Sequence, residues 1–275
     1  MNGYKTMLKV DMRRLFTSRM FYIMLGIALC MPIAILVMTS SLAGTETTNP
    51  QTGEVTVMEG FENTWDIIGS ESDTELFGGT KTDSAAEASD HAAMGMNMDM
   101  TSMCNINLVY FMLAVFLCVF VGDDFRSGYA KNLFTVRAKK GGYVASKTVV
   151  GLIAGTAMLV AFFIGTVLGG NIAGLSFDLG SAGADGLVMC MLAKIFLMGV
   201  FTAISLAMSV YAKKHTWLSI MLSLFGGMLL FMMIPMLTPL NSGFMNVFMC
   251  LAGGAIFAAA IGSVSRVVLL KTDLV

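Results

Sequence analysis

The sequence predicts an all-α membrane protein with six transmembrane helices, preceded by an amphipathic helix in the membrane interface. Of the 275 residues, 56% are hydrophobic and only 13% are charged, whereas soluble domains carry about 25% charged residues. The apolar residues also form long blocks instead of alternating with polar ones. These observations exclude a soluble globular protein.

Six apolar blocks have the length of a membrane span. A helix needs about 20 residues to cross roughly 30 Å of hydrocarbon, and it satisfies its own backbone polar groups, which lipid cannot do. The first block is too long for a signal peptide and has no small-residue cleavage site after it. The predicted spans are 20–42, 103–121, 148–168, 187–210, 217–237 and 244–270.

Residues 1–19 are predicted to form an interfacial elbow helix before the membrane domain of residues 20–275. Apolar residues recur there at three- and four-residue spacing, with cations between them. That pattern suits a helix whose apolar side enters the acyl boundary and whose cations meet anionic headgroups. An ordinary basic flank of the first span is the simpler alternative. The apolar positions are Tyr4, Met7, Leu8, Met12, Leu15 and Phe16.

The distribution of Lys and Arg predicts the orientation. Fifteen of them flank one side of the predicted spans, whereas the other side has only Lys81 and fourteen acidic residues. Because cytoplasmic loops retain Lys and Arg, both termini are expected in the cytoplasm. The net charge of −1 therefore conceals a basic inner face and an acidic outer face.

The acidic extracellular loop of residues 43–102 is the longest connection. It is too long for a simple connector and too poor in apolar residues for a substantial core, so we expect partial order. Near its end, alternate methionines offer thioether ligands of the kind that Cu(I) prefers. The alternative is that these side chains pack at the start of the second span. The candidate ligands are Met94, Met96, Met98 and Met100.

The cytoplasmic loop of residues 122–147 is predicted to contain a short helix. Asp123 or Asp124 is a plausible N-cap, and the pair at 141–142 is a plausible glycine stop. An apolar stripe along that helix suits docking into a groove on a soluble partner or, equally, lying flat on the bilayer. The stripe consists of Phe125, Tyr129, Leu133 and Phe134.

Nucleotide binding and catalysis by this chain are not expected. Residues 141–148 read GGYVASKT, close to a phosphate-binding loop, but Ser146 replaces the second glycine and a predicted span follows directly instead of a soluble α/β unit. The spans contain no carboxylate pair, no zinc-protease motif and no nucleophile elbow. We therefore predict a non-catalytic subunit without a cofactor of its own.

Two further features inside the spans have alternative interpretations. Lys194 is the one ionisable residue well inside a predicted span; it either belongs to a translocation surface or snorkels outward toward Asp178 or Asp185. Small residues four apart permit close approach of helices, within the bundle or at a dimer seam. These are Gly151 and Gly155, Gly165 and Gly169, and the series Gly254, Ala258 and Gly262.

The order of these features resembles the permease subunits of ABC transporters of the type-2 exporter family, which occur in bacterial peptide and antibiotic export and immunity systems. The resemblance covers nearly the whole chain, and its most specific part is the loop after the second span. There the sequence is similar to the pattern D-[YF]-x-x-G-x-x-K-N followed by Y-x-x-S-K. The matching residues are Asp124, Phe125, Gly128, Lys131, Asn132, Leu133, Phe134, Tyr143, Ser146 and Lys147.

The resemblance implies a permease in the bacterial cytoplasmic membrane that pairs with itself or with a similar permease. It also implies a separate ABC ATPase that binds ATP and Mg, and no nucleic-acid partner. The region Ser127–Val136 would be the coupling helix that inserts into the ATPase, and Lys213 and Lys214 would lie in a second contact. The implied coupling residues are Asp124, Phe125, Gly128, Tyr129, Lys131, Asn132 and Phe134.

Two functions follow as expectations. The first is the membrane subunit of an ATP-driven exporter for an amphipathic or hydrophobic substrate, such as a peptide or antibiotic. The alternative is a stand-alone six-span immunity or ligand-binding membrane protein that uses its acidic, methionine-rich outer loop. A separate ATPase partner distinguishes the exporter from the stand-alone protein.

Overall fold

The computed structural model contains a helical bundle in which successive long helices run in opposite directions. The structure describes residues 2–48, 55–57, 61, 63–69, 104–136, 140–180, 183–212, 215–231 and 234–271. The helices are α1 (Asn2–Thr17), α2 (Arg19–Leu42), α3 (Leu108–Arg126), α4 (Tyr129–Val136), α5 (Lys140–Ala173), α6 (Gly183–Ala212), α7 (Thr216–Phe231), α8 (Ile234–Leu237) and α9 (Phe244–Lys271).

The membrane-spanning class is confirmed. In the described part of the chain, α2, α3, α5, α6 and α9 are long and apolar enough to cross a membrane, and α7 is a shorter apolar helix. The predicted fifth span corresponds to α7 followed by the single-turn helix α8. Helix α5 begins eight residues before the predicted third span and ends five residues after it.

Helices α3 and α6 form the centre of the bundle, and α2 and α9 lie at its periphery. Helix α6 contacts α3, α5, α7 and α9, whereas α2 packs mainly against α5. Large apolar side chains on the outer faces are exposed, as expected for surfaces that meet lipid tails. Examples are Ile23 on α2, Ile164 on α5, Phe225 on α7 and Phe248 on α9.

The predicted small-residue pairs pack within the bundle. Gly165 and Gly169 of α5 face the backbone of α2, and Gly254 of α9 faces the carbonyl of Phe196 on α6. Without a side chain at these positions, the helix backbones approach closely. Of the two interpretations of the sequence, packing within the bundle therefore holds for these three glycines.

Serine pairs join α7 to α6. The Ser219 hydroxyl donates to the Ser209 hydroxyl at 3.0 Å, and the Ser223 hydroxyl donates to that of Ser205 at 2.8 Å. All four side chains are buried. Hydrogen bonds between such residues stabilise helix pairs in membranes, so they help fix the short helix α7.

The two ends of the bundle differ in charge. We call the end that carries α1 and α4 the basic end, and the opposite end the acidic end. Strands β1 (Glu46–Thr48) and β2 (Val55–Val57) pair antiparallel after α2. The acidic end also carries a 3₁₀ turn (Thr64–Ile67), whose buried Trp65 stacks on Phe163 of α5 at 5.9 Å between ring centroids. Part of the long acidic loop is thus ordered against the bundle.

Candidate functional site

The short helix α4 lies at the basic end, between α3 and α5. Helix α3 continues to Arg126, and Ser127 caps it by donating from its backbone N–H and its hydroxyl to the Asp123 carbonyl, at 2.9 and 2.6 Å. Gly128 then adopts a left-handed conformation with φ of +72°, which favours glycine. This turn redirects the chain into α4.

Helix α4 lies within the region Ser127–Val136 that the resemblance implied, but its predicted cap and stop are wrong. Asp123 and Asp124 lie in the last turn of α3 and do not cap α4, because α3 extends beyond the apolar block that predicted it. Gly141 and Gly142 lie in the first turn of α5 and do not stop α4. The helix was placed in the correct loop, but the loop is shorter than predicted.

The apolar side chains of the predicted stripe pack on the chain itself. Phe125, Leu133 and Phe134 are partly buried against a small core at the basic end. The ring centroid of Tyr143 lies 5.4 Å from that of Phe134 and 6.3 Å from that of Phe125. Lys131 and Asn132 are exposed. Helix α4 therefore combines an anchored apolar side with an exposed polar side.

A buried ion network lies beneath α4 and joins three helices. Lys147 of α5 has its ammonium nitrogen 2.9 Å from Asp11 Oδ1 of α1 and 2.7 Å from Asp124 Oδ2 of α3. The side chains of all three residues are fully buried. Arg14 Nη1 of α1 lies 2.5 Å from Asp124 Oδ1 and 4.0 Å from Asp11 Oδ1. The two cations and two carboxylates balance, as buried charges require.

Neutral groups complete the network. The Ser146 hydroxyl donates to Asp11 Oδ2 at 2.6 Å, and the Tyr143 hydroxyl donates to Asp124 Oδ2 at 3.0 Å. The Lys147 ammonium lies 4.4 Å from the centre of the Phe120 ring, a cation–π distance. The Ser146 hydroxyl thus supplies a donor to the second oxygen of Asp11, and the Tyr143 hydroxyl adds a second donor to the Asp124 oxygen that binds Lys147.

The ionisation of the exposed edge of the network is fixed by its surroundings. Burial lowers the pKa of Arg14, but the interactions with Asp124, Asp11 and Tyr129 together outweigh that effect and leave the pKa above its ordinary value. Burial raises the pKa of Tyr129, and Asp11 raises it further. The Arg14 guanidinium lies 4.5 Å from the Tyr129 ring centre. At neutral pH, Arg14 is therefore charged and Tyr129 is neutral, which suits a cation–π contact.

The structure places the charged and amide residues among the predicted coupling residues in different environments. Asp124 is fully buried in the ion network, so its carboxylate faces other parts of this chain. Lys131 and Asn132 are exposed on the outer side of α4. Lys213 and Lys214 lie outside the described residues, while Tyr211 and His215 on either side of them are exposed.

Lys194 forms a separate polar site near the acidic end. Its ammonium group donates to Asn107 Oδ1 at 3.1 Å and to Thr238 Oγ1 at 2.9 Å, and the residue is 1% exposed. The side chain therefore does not snorkel to Asp178 or Asp185. Its bonds join α6 to the start of α3 and to the residue after α8.

Metal ligation remains a prediction. Met94, Met96, Met98 and Met100 lie outside the described residues. In the part of the chain that the structure describes, no group of three or more His, Cys, Asp or Glu side chains could hold a metal ion.

Asp11 is a central site residue that the sequence reasoning missed, as it also missed Arg14. Asp11 lies between Met7 and Leu15 at four-residue spacing, and all three side chains are buried on one face of α1. An aspartate in the apolar stripe of an otherwise basic helix is the signal that could have revealed it. A buried acid in that position requires a cation from elsewhere in the chain.

A comparison with protein-family models matches residues 77–230 to the model of the ABC-2 family transporter protein. No curated protein and no solved structure matches the chain. The matched range includes α3 to α6, with α4 and the Lys147 end of the ion network, and nearly all of α7. Because this match covers more than half of a chain with several membrane-spanning helices, the chain belongs to the ABC-2 family of transporter proteins and is a multi-pass transmembrane permease.

Proposed function

We propose that this permease is the membrane subunit of an ATP-driven exporter and that a separately encoded ABC ATPase docks on α4. The permease itself would be non-catalytic, and ATP and Mg would bind to the ATPase. A complete transporter would contain two permeases, either two copies of this chain or this chain and a similar one.

The arrangement of α4 is the observation that carries this proposal. One side of the helix is held by Phe125, Phe134 and the buried network, and the other side exposes Lys131 and Asn132. A short helix held firmly at its base can transmit a push from a soluble partner into the spans. A helix lying flat on the bilayer would instead direct its large apolar residues toward lipid.

The orientation in this proposal follows from charge. The basic end carries exposed cations on α1 and α4, including Lys5, Lys9 and Lys131. Since Lys and Arg are retained on the cytoplasmic side, the basic end would face the cytoplasm of a bacterium, where the ATPase is located. Both chain termini would then be cytoplasmic.

The proposed substrate is amphipathic or hydrophobic, such as a peptide or an antibiotic. The apolar composition of the spans favours it. Lys194 is a buried charged side chain well inside α6. Lys194 would join a translocation surface only when α3 and α6 move apart, since its present bonds cross that contact. Substrate movement would therefore require separation at the acidic end.

The test is co-purification of the ATPase with the permease from native membranes in a gentle detergent. Replacing Lys131 with Glu and Asn132 with Ala is expected to lower the recovered ATPase at least about tenfold, because interface centres depend on a few residues. Lys9→Glu makes the same charge change at an exposed site on α1 and is expected to leave the recovery unchanged.

Two results would contradict the proposal. If the unaltered permease reproducibly recovers no ABC ATPase, the stand-alone membrane protein becomes the better explanation. If ATPase is recovered equally with the α4 variant, docking must take place elsewhere at the basic end, and α4 loses its proposed role.

A further inference from the structure

The buried network connects α1 to the base of α4 through a short series of contacts. Asp11 binds Lys147, Lys147 binds Asp124, and Asp124 accepts a hydrogen bond from Tyr143. The Tyr143 ring in turn packs against Phe125 and Phe134, on either side of the turn into α4. Each step lies within hydrogen-bond or ring-contact distance.

Asp11 holds a central place in this series although it lies far from α4 in sequence. Its two carboxylate oxygens bind different residues of α5, with Oδ1 on Lys147 and Oδ2 on Ser146. Arg14, one turn later on α1, binds Asp124 and contacts the ring of Tyr129, the first residue of α4. Helix α1 therefore contacts α4 both through the network and directly.

We propose that Asp11 is a positioning residue for α4, so that α1 helps hold the ATPase-docking helix in place. The consequence for docking rests on the proposed function. The positioning of α4 by Asp11 concerns this chain alone. In this role α1 is more than a membrane-surface anchor, because its one acid binds Lys147, the α5 cation that also binds Asp124 of α3.

The removal of the Asp11 charge has a defined consequence. Asp11→Asn keeps the size of the side chain but leaves Lys147 and Arg14 with one carboxylate, Asp124, between them. The uncompensated positive charge is buried, so the network must rearrange or admit water. Tyr143 and Asp124 share that network, and the base of α4 loosens with it.

Hydrogen exchange in lipid nanodiscs tests the geometric part without an ATPase. Asp11→Asn is expected to accelerate amide exchange in α4 at least about tenfold and to leave exchange in α6 unchanged. Asp11→Glu, which keeps the charge, is expected to restore most of the protection. Asp123→Asn is the matched control, because Asp123 is exposed and adjacent to Asp124, and it is expected to change nothing.

The outcomes separate the inference from the proposed function. Unchanged exchange in α4, or an equal rise in α4 and α6, would overturn the positioning role. Co-purification then tests docking, where Asp11→Asn is expected to lower ATPase recovery together with α4 protection, while Asp11→Glu restores both. If unaltered permease recovers no ATPase but α4 exchange still responds selectively to Asp11→Asn, the proposed function fails and the positioning of α4 by Asp11 stands.

Discussion

Replacing Lys147 with Met is expected to destabilise the chain by roughly 3–5 kcal/mol. The substitution leaves the carboxylates of Asp11 and Asp124 buried, with Arg14 as the remaining cation of the network. Two buried carboxylates near one guanidinium carry an excess negative charge, which the hydroxyls of Ser146 and Tyr143 do not neutralise. The measurement is the free energy of unfolding in mixed micelles, from the loss of helical circular dichroism as a denaturing detergent is added.

The double variant Asp11→Asn with Lys147→Met tests the reason for this loss. It leaves Arg14 and Asp124 as one neutral pair. The double variant is therefore expected to lose less stability than the two single variants lose in sum, by a coupling energy of at least about 1 kcal/mol. Lys131→Met, the same change on an exposed lysine, is expected to have little effect. Additive single effects would show that the charges do not act as one network.

Replacing Gly165 with Ala is expected to separate α2 from α5 and to cost roughly 1–3 kcal/mol. A Cβ atom at this position would lie 2.2 Å from the Leu29 carbonyl oxygen and 2.7 Å from Pro32 Cγ. The oxygen belongs to the backbone of α2 and cannot move without displacing the helix. The measurement is the midpoint of thermal unfolding in a mild detergent.

Gly26→Ala provides the matched control for this prediction. Gly26 lies on α2 itself, and a Cβ atom there would meet nothing within 4 Å. The control is expected to leave the midpoint unchanged or slightly raised, because alanine is the better helix former. Equal midpoints for the two variants would mean that α2 is not held against α5 by the close contact at Gly165.

Much of the fold could be predicted from the sequence because the membrane imposes a strong constraint on helix length and polarity. The first and last residues of predicted spans one and six lie within two residues of the ends of α2 and α9. The predicted fifth span starts one residue after the start of α7 and ends at the last residue of α8. Pro235, interpreted from sequence as a bend or an end of the fifth span, lies in the single turn of α8, two residues before that turn ends.

The candidate site was only partly predictable for a physical reason. The pattern around Asp124 and Lys131 located the correct loop, but a helical apolar stripe has the same spacing whether it packs on its own chain, on a partner or on lipid. No local sequence pattern could identify the partner of Asp11, because Lys147 follows it by 136 residues. Only the folded bundle places the two together.

The ion network also implies an order of assembly during synthesis of the protein. Asp11, Asp124 and Lys147 leave the ribosome in that sequence, so α1 is complete long before the cation that fixes it to the bundle exists. Until the third long helix enters the bilayer, Arg14 is the network's one cation for two acids. The amphipathic α1 can lie at the membrane surface during this interval. It docks on the bundle only after the first three long helices have been assembled.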